Sequence, residues 1–484
     1  MLIPALVVAL AVTAGLQLLD RSAEDAIPER TGTTAVAEPP REPAAPFRYD
    51  VEYPFMSYRD AARADPVAEL TRRLESGKAR LELDGPRGLL DSLLAELEID
   101  PASQVLVFST TSLQVGNIRP RTPRAIYFND DVYVAWVQGG GPIEIASMDP
   151  NLGPVFYTLA HERGAEPKVE NERCLRCHDS LSLTGGGVPR FIVGSGYIGR
   201  DGNIVSHEGW ILTTQRTPFR NRFGGWYVTG HHGDQVHLGN IVVRDVYALQ
   251  DLDRLRIGNI ESLDGLVDTS IYAAPGSDIV ALLVMQHQID VQNEISRVNY
   301  KVRAAMQRSE VVSPADVAEL VEPLVETMLF AGAAPLEGPI VGTSGFRDAF
   351  ERRGPADDSG RSLRELDLES RLMRYPLSFQ IYSEAFDALP DVAKTQVYRR
   401  LYEILGGEDS SEKFAHLSTA DRAAVLEILA ATKPDFAAFD DPGDAEAPAA
   451  ERADDLPAAA ADSDGAASAL PAPASSEAGP APPH

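Results

Sequence analysis

Cysteine is almost absent from this chain of 484 residues, and its two cysteines, Cys174 and Cys177, stand only three positions apart. Two scattered cysteines would indicate a disulfide, which this close spacing does not. A structural zinc site needs four ligands, usually from two such pairs, and the chain has no second cysteine pair. The βαβ pattern that surrounds a thioredoxin-like redox motif is also missing. The shortage of cysteine therefore argues against a disulfide framework, a zinc module and a thioredoxin-like redox centre.

Basic residues are outnumbered as well, because 44 Lys and Arg stand against 72 Asp and Glu and the formal net charge is −28. Such an acidic surface argues against nucleic acid and against anionic lipid head groups as partners. Apolar residues make up 44% of the chain, which is an ordinary share for a protein that buries a core. The length predicts two or three domain-sized units.

Both cysteines belong to one pentapeptide, Cys174-Leu175-Arg176-Cys177-His178. C-x-x-C-H is the attachment signature of a c-type haem. The two thiols add across the vinyl groups of the porphyrin, and the adjacent imidazole becomes the proximal ligand of the iron. We therefore predict one covalent haem c bound by Cys174 and Cys177, with His178 as the proximal iron ligand.

The N-terminus provides an independent indication, because c-type haem is attached outside the cytoplasmic membrane. Residues Leu2 to Leu19 are almost wholly apolar, a length between that of a signal-peptide core and that of a membrane-spanning helix. No basic residue precedes this run, and no clear cleavage site follows it. We predict that residues 1–20 form an uncleaved membrane anchor or, second, a cleaved signal; the alternative is a buried helix of a soluble domain. Residues 21–46 then form a flexible linker.

The remaining pattern predicts an α+β fold with a central, mainly antiparallel β region that holds the haem site. Strands are predicted at Gln104 to Ser109, Ala125 to Phe128, Asp131 to Val137, Ile143 to Met148 and Val155 to Leu159. Helices are predicted at Asp65 to Gly77, Leu89 to Ile99, Ile279 to Gln307, from Ser313 through a kink at Pro323, Leu377 to Leu389, Asp391 to Leu405 and Ser418 to Ala431.

These elements predict the division of the chain. Residues 47–275 form the haem-binding region, residues 276–433 form a helical region with one long buried helix and a bundle, and Pro335 to Ser362 is a loop. Residues 434–484 are rich in Ala, Pro and acidic side chains with almost no large apolar residue, which predicts a disordered tail.

The sixth iron ligand has several candidates in this sequence. His231, His232 and His237 cluster in a chain that contains only nine histidines, and Asp234 lies among them. One interpretation makes His232 or His237 the distal ligand. A second makes the three histidines and Asp234 a separate non-haem metal site. The third is a polar loop in which the histidines only form hydrogen bonds.

His287 is the leading single candidate for that ligand. It lies on the apolar stripe that Leu283, Val284 and Val291 form on the predicted long helix, and a rigid helix can aim a neutral imidazole. A histidine on such a stripe is otherwise an ordinary core residue. Met148 is a further candidate because a thioether sulfur is a common sixth ligand, although packing also explains it.

Through Cys174, Cys177 and His178 the chain resembles the c-type cytochromes. The resemblance extends to the motif and the export signal and not to the fold, since small cytochrome c domains are all-helical. It implies periplasmic electron transfer by a covalently bound haem, with a periplasmic or membrane redox partner.

Two other functions remain open. The first is a haem-dependent oxidoreductase, peroxidase-like, with an open distal position; dihaem peroxidases, however, need two motifs. The second is a haem-binding sensor or structural module. Four arginines, namely Arg190, Arg216, Arg220 and Arg222, would position an anionic substrate or the haem propionates, or else are surface charges.

Overall fold

A computed structural model of the chain describes residues 54–205, 209–244, 258–308 and 313–439. The predicted membrane segment, the linker and most of the acidic tail lie outside these residues. One hydrophobic core runs through the described part, so the predicted border at residue 276 does not separate two cores. None of the described helices is both long enough and apolar enough to span a bilayer.

A six-stranded antiparallel sheet forms the centre of the fold, with its strands in sequence order. Its strands are β1 Val105–Val107, β2 Arg124–Phe128, β3 Val132–Val137, β4 Ile143–Asp149, β5 Gly153–Leu159 and β6 Lys168–Val169. The five predicted strands are therefore confirmed to within two residues at each end. The sixth strand is too short to show a periodic pattern, and it pairs with β5 directly before the C-x-x-C-H motif.

Four short strands make two further pairs. They are β7 Gly194–Gly196, β8 Ile198–Gly199, β9 Trp210–Leu212 and β10 Val242–Val243. Strands β7 and β9 are antiparallel, whereas β8 and β10 are parallel. The segment between the motif and β7 therefore leads directly from the predicted haem site to a second small sheet.

Eleven helices surround the sheets in the described residues. They are α1 Pro66–Glu75, α2 Leu90–Glu96, α3 Asn171–His178, α4 Leu181–Thr184, α5 Ile279–Gln307, α6 Pro314–Met328, α7 Phe346–Glu351, α8 Glu384–Asp387, α9 Asp391–Gly406, α10 Thr419–Thr432 and α11 Pro434–Ala437. The mixed α and β composition and the antiparallel sheet are thus confirmed.

The long buried helix α5 has the predicted bounds. Asp278 caps its N-terminus, because its side chain accepts from the backbone N–H of Val280 and Ala281. It packs on the sheet face that carries Tyr133, Met148 and Phe156, which we call the helix-side face. The Tyr133 hydroxyl donates to Gln292 Oε1 of α5 at 2.7 Å. Because side chains alternate along a strand, the opposite face is free to pack on the N-terminal helices.

Three predicted segments differ from the structure: one helix, one loop and the start of the C-terminal tail. Leu377 to Leu389 is not one helix, because the side chains of Ser378 and Ser383 cap two separate starts, a 3-10 turn at Phe379–Tyr382 and α8. The predicted loop from Pro335 to Ser362 contains α7, which places two phenylalanines in the core.

The first residues of the predicted disordered tail are ordered. Helix α11 is formed there, and Phe436 is fully buried. The Phe436 ring stacks on Tyr402 with ring centroids 4.5 Å apart. Two phenylalanines, Phe436 and Phe439, which both stack on Tyr402, were the signal for this short ordered turn.

Asp65 links α1 to the sheet, and its removal gives a first test of the fold. Its carboxylate accepts from the N–H of Val67 and Ala68 and from the Tyr157 hydroxyl, at 2.5 Å from Oδ2. We expect Asp65→Ala to lower the free energy of unfolding by about 2 kcal/mol, because it removes a cap and leaves a buried hydroxyl unpaired. Urea denaturation measures this, with the exposed Asp60→Ala as control. An equal loss in both variants would contradict the role of Asp65.

Candidate haem site

The three residues of the motif share one face of α3. Cys174 and Cys177 are three residues apart and His178 is four from Cys174, which are the spacings of neighbours on a helix surface. The helix begins at Asn171, only three residues before the first cysteine. Strand β6 lies at the edge of the sheet, and this helix follows it in the chain.

The imidazole of His178 is held in one orientation. Its Nδ1 lies 2.7 Å from the backbone carbonyl oxygen of Arg190. A carbonyl only accepts, so Nδ1 carries the proton and Nε2 keeps its lone pair. Burial lowers the pKa of His178 to about 4, so the ring is neutral at neutral pH. A neutral imidazole with a free Nε2 lone pair is the form that ligates a metal.

The segment that supplies this carbonyl is in turn fixed by α5. Asn293 Oδ1 accepts from the N–H of Phe191 at 2.8 Å, and Asn293 Nδ2 donates to the carbonyl of Phe191 at 3.0 Å. Phe191 directly follows Arg190, so the long helix holds the backbone that orients His178. The ring of Phe156 in β5 lies 4.4 Å from the His178 ring, between centroids.

The two thiols differ in exposure and neither forms a disulfide: Cys174 is half-buried and Cys177 is exposed. Burial raises the pKa of the Cys174 thiol to about 12, with smaller contributions from Glu144 and Glu170. The thiol is therefore protonated at neutral pH. A redox-active C-x-x-C needs a lowered thiol pKa, so this environment does not match that class of site.

The sheet beside the motif is partly uncovered. Ala146 and Thr158 are half-buried on the helix-side face, and Ala146 is the cross-strand partner of Phe156, which contacts His178. Leu181, in the helix that follows the motif, is 79% exposed. A flat apolar ring needs exposed apolar surface near the thiols, and these partly exposed side chains near the motif fit a haem.

One buried ion pair borders this uncovered part of the sheet. Arg124 Nη1 lies 3.3 Å from Glu144 Oε2, with side chains 13% and 16% exposed. Ser112 also donates to Glu144 Oε1 at 2.9 Å. Arg124 is one of the groups that lower the pKa of His178. The predicted haem site therefore has an ion pair at its sheet side, which the sequence did not single out.

Both ring nitrogens of His287 form hydrogen bonds in the structure. Its Nδ1 lies 2.7 Å from Gln215 Oε1 and its Nε2 lies 2.9 Å from the Ser378 hydroxyl. Burial lowers its pKa to about 3. It precedes Asn293 by six residues, which corresponds to about 9 Å of helix rise. As a distal ligand His287 stays a prediction, and an iron bond would require one of its two hydrogen bonds to break.

The Ser378, His287 and Gln215 side chains form a hydrogen-bonded row that resembles a nucleophile, a base and an orienting group. The Gln215 amide oxygen only accepts, so Nδ1 is protonated and Ser378 donates to Nε2. Ser378 is fully buried, and its hydroxyl also accepts from the N–H of Gln380. Burial lowers the pKa of His287 to about 3, which makes its imidazole a weak base at neutral pH.

Met148 lies in the core of the helix-side face and is 3% exposed. Its Sδ lies 3.9 Å from the hydroxyl of Ser296 on α5. This position is that of a packing residue. Met148 therefore packs in the core, and its role as a sixth ligand stays a prediction.

His232 and His237 form a buried aromatic pair, with ring centroids 4.5 Å apart and with Phe219 and Phe223 around them. His232 Nδ1 donates to the Gln235 carbonyl at 2.7 Å. The Gly239 N–H donates to His237 Nδ1 at 2.9 Å. Both rings are thus oriented by the backbone of their own loop.

The predicted non-haem metal site is not assembled in this geometry. The third histidine, His231, is half exposed and pairs with Glu261 at 2.6 Å, while Asp234 is exposed. Within residues 54–205, 209–244, 258–308 and 313–439, no three His, Cys, Asp or Glu residues are grouped to hold a metal ion. Of the three interpretations of this loop, the hydrogen-bonding one describes His231 and His232.

The four predicted arginines do not converge on the motif. Arg190 contributes its backbone carbonyl, and Arg220 is exposed. Arg216 pairs with Glu326 at 2.7 Å, beside a cavity of about 700 Å³ that Arg222 and His287 also line. The cavity joins residues far apart in the chain, so no local pattern indicated it.

Comparisons with known proteins leave the geometry of the site as the basis for its function. No family model, no curated protein and no solved structure matches the chain. The fold and the site are therefore described from their own residues, and the motif on α3 with the orientation of His178 carries the argument below.

The low pKa of His287 leads to a prediction about acid stability. In the unfolded chain the His287 imidazole takes up a proton near pH 6.5, whereas in the folded protein it does so only near its pKa of about 3. Stability must therefore fall as the pH drops from about 6.5 towards 3, by up to about 5 kcal/mol from this residue. His287→Gln is expected to flatten this dependence, measured by urea unfolding at several pH values. The control is His231→Gln, and an unchanged slope in His287→Gln would contradict the prediction.

Proposed function

We propose that this chain is an exported monohaem c-type cytochrome that carries single electrons by means of one covalently bound haem. The observation that carries the proposal is the state of His178. Its Nδ1 donates to the Arg190 carbonyl, and its Nε2 lone pair stays available on the helix face that also holds Cys174 and Cys177.

Three residues of the motif would hold the haem. Cys174 and Cys177 would supply the two thioether bonds, and His178 would be the proximal ligand of the iron. When bound, the haem supplies an iron that alternates between the ferric and ferrous states. Asn293 and Phe191 keep the Arg190 carbonyl in place, so the proximal ring keeps its tautomer and its direction.

The surroundings support a partly exposed haem. Leu181 and the half-buried Ala146 and Thr158 leave apolar surface beside the motif. An edge near the surface suits electron exchange with a partner that docks only briefly. The ion pair of Arg124 and Glu144 lies on the sheet side, where its dipole would act on the charge of the iron.

The location and the partners form part of the same proposal. Covalent attachment takes place outside the cytoplasmic membrane, and residues 1–20 have the composition of an anchor or signal. We expect the chain on the periplasmic side of that membrane, with a periplasmic or membrane-bound redox partner. The net charge of −28 favours a partner whose docking surface is basic.

Covalent attachment is directly testable in cells that mature c-type haem. The purified wild-type protein should keep its haem colour on a denaturing gel, because thioether bonds survive denaturation. Cys174→Ser and Cys177→Ser should each lose most of it, and the double variant all of it. The exposed Ser182→Ala serves as control for expression. A wild-type protein without covalent haem, in cells that mature a known cytochrome, would sink the proposal.

A second function, a peroxidase-like oxidoreductase with an open distal position, is favoured by one observation. Both ring nitrogens of His287 are hydrogen-bonded, and Met148 is packed against Ser296. If these residues keep their places, neither reaches the iron. The distal side would then be free for a small oxidant such as peroxide.

The two functions predict different spectra. A six-coordinate carrier should be low-spin and indifferent to carbon monoxide, whereas an open site should give a high-spin ferrous form that binds it. We expect His287→Ala, His237→Ala and His232→Ala to distinguish the distal candidates. Loss of the low-spin bands in one variant identifies the ligand, and a low-spin spectrum that survives all three rules them out. Met148→Leu completes the set.

A further inference from the structure

The cavity beside His287 is separate from the C-x-x-C-H motif, because none of the motif's residues lines it. It measures about 700 Å³, which is within the range of small-molecule sites, and it lies between α5 and the loops that follow α6. Its walls include the apolar side chains of Leu283, Phe330, Leu372 and Met373. Leu283 and Met373 are 3% and 1% exposed, so this part of the cavity is deep in the protein.

Arg222 lines the same cavity and is 6% exposed. Its guanidinium donates to three neutral oxygens, the carbonyls of Thr217 and Gln215 and the side-chain Oε1 of Gln286, at 2.7, 2.6 and 3.0 Å. A guanidinium has five N–H groups, so one on Nη1 and one on Nη2 have no acceptor among the described residues. Burial lowers the pKa of Arg222 to about 10, so the group is still charged at neutral pH.

No carboxylate of the described residues forms an ion pair with Arg222. Asp290 is the acid that acts on it electrostatically, and burial raises the pKa of Asp290 to about 7, so its charge is incomplete at neutral pH. The charges at the mouth compensate one another, since Glu326 pairs with Arg216 at 2.7 Å and with Lys413 at 2.6 Å. A buried guanidinium that has no carboxylate in direct contact is costly, so an anion bound beside Arg222 would be stabilised.

We propose that this cavity binds a small organic carboxylate, with the carboxylate on Arg222 and an apolar body against Leu283, Phe330 and Met373. Two N–H groups of one guanidinium suit the two oxygens of a carboxylate. Because part of the wall is apolar, we expect an organic carboxylate to be preferred over a bare inorganic anion. The proposal does not depend on the haem, since none of these residues belongs to the motif or contacts it in the structure.

Calorimetric titration of the purified full-length protein with benzoate and with benzyl alcohol tests the proposal. Both probes have the same ring, and only benzoate carries the charge. Benzoate should bind at least about tenfold more tightly, the effect of hydrogen bonds to a charged partner. Equal affinities, or no benzoate binding, would overturn the proposal. Phosphate that binds as tightly as benzoate would show a bare anion site and would also overturn it.

Two variants locate the site. Arg222→Gln should lose the preference for benzoate over benzyl alcohol, whereas the neighbouring exposed Arg220→Gln should keep it. Leu372→Trp adds bulk to the cavity wall and leaves Arg222 unchanged, so it should weaken both probes by about tenfold or more. It tests the site independently if Arg222→Gln does not fold. Unchanged benzoate affinity in Leu372→Trp would place the binding elsewhere and contradict the proposal.

Discussion

The hydrogen bond from His178 Nδ1 to the Arg190 carbonyl is the interaction on which the candidate site depends. At 2.7 Å it fixes both the direction and the tautomer of the imidazole. Without it no hydrogen bond would define which ring nitrogen of His178 carries the proton. Because the acceptor is a backbone atom, the geometry depends on how the chain after the motif is held and not on any one side chain at position 190.

Helix α5 provides that support through a line of buried amides. Gln288 donates to the carbonyl of Asn129 at 2.8 Å and Gln292 to that of Asp130 at 2.7 Å, in the turn between β2 and β3. Asn293 holds the segment after the motif in the same way. The helix thus connects the sheet to the backbone that orients His178. Buried amides are stable only when all their groups are paired, which makes this connection specific as well as strong.

Local patterns predicted the long elements well and the short ones poorly. Short β-branched or aromatic runs between turn residues were enough for the first five strands, and a start signal followed by a run without a helix breaker was enough for Ile279–Gln307. The prediction of one helix from 377 to 389 was wrong because two serines cap separate turns. A side-chain cap of this kind competes with the growth of a helix, and the apolar pattern does not show it. The helix that carries the motif also escaped prediction, since its residues are mostly polar and its start has no side-chain cap.

The sequence alone determined the chemistry of the motif, because two cysteines and a histidine at fixed spacing allow few reactions. It also determined the charge and the long helix, which depend only on composition and periodicity. Tertiary structure decided what surrounds them: the carbonyl that orients His178, the two hydrogen bonds that engage His287, and the cavity beside Arg222. These depend on groups far apart in the chain. A local pattern contains no information about such contacts, since they form only when the elements pack.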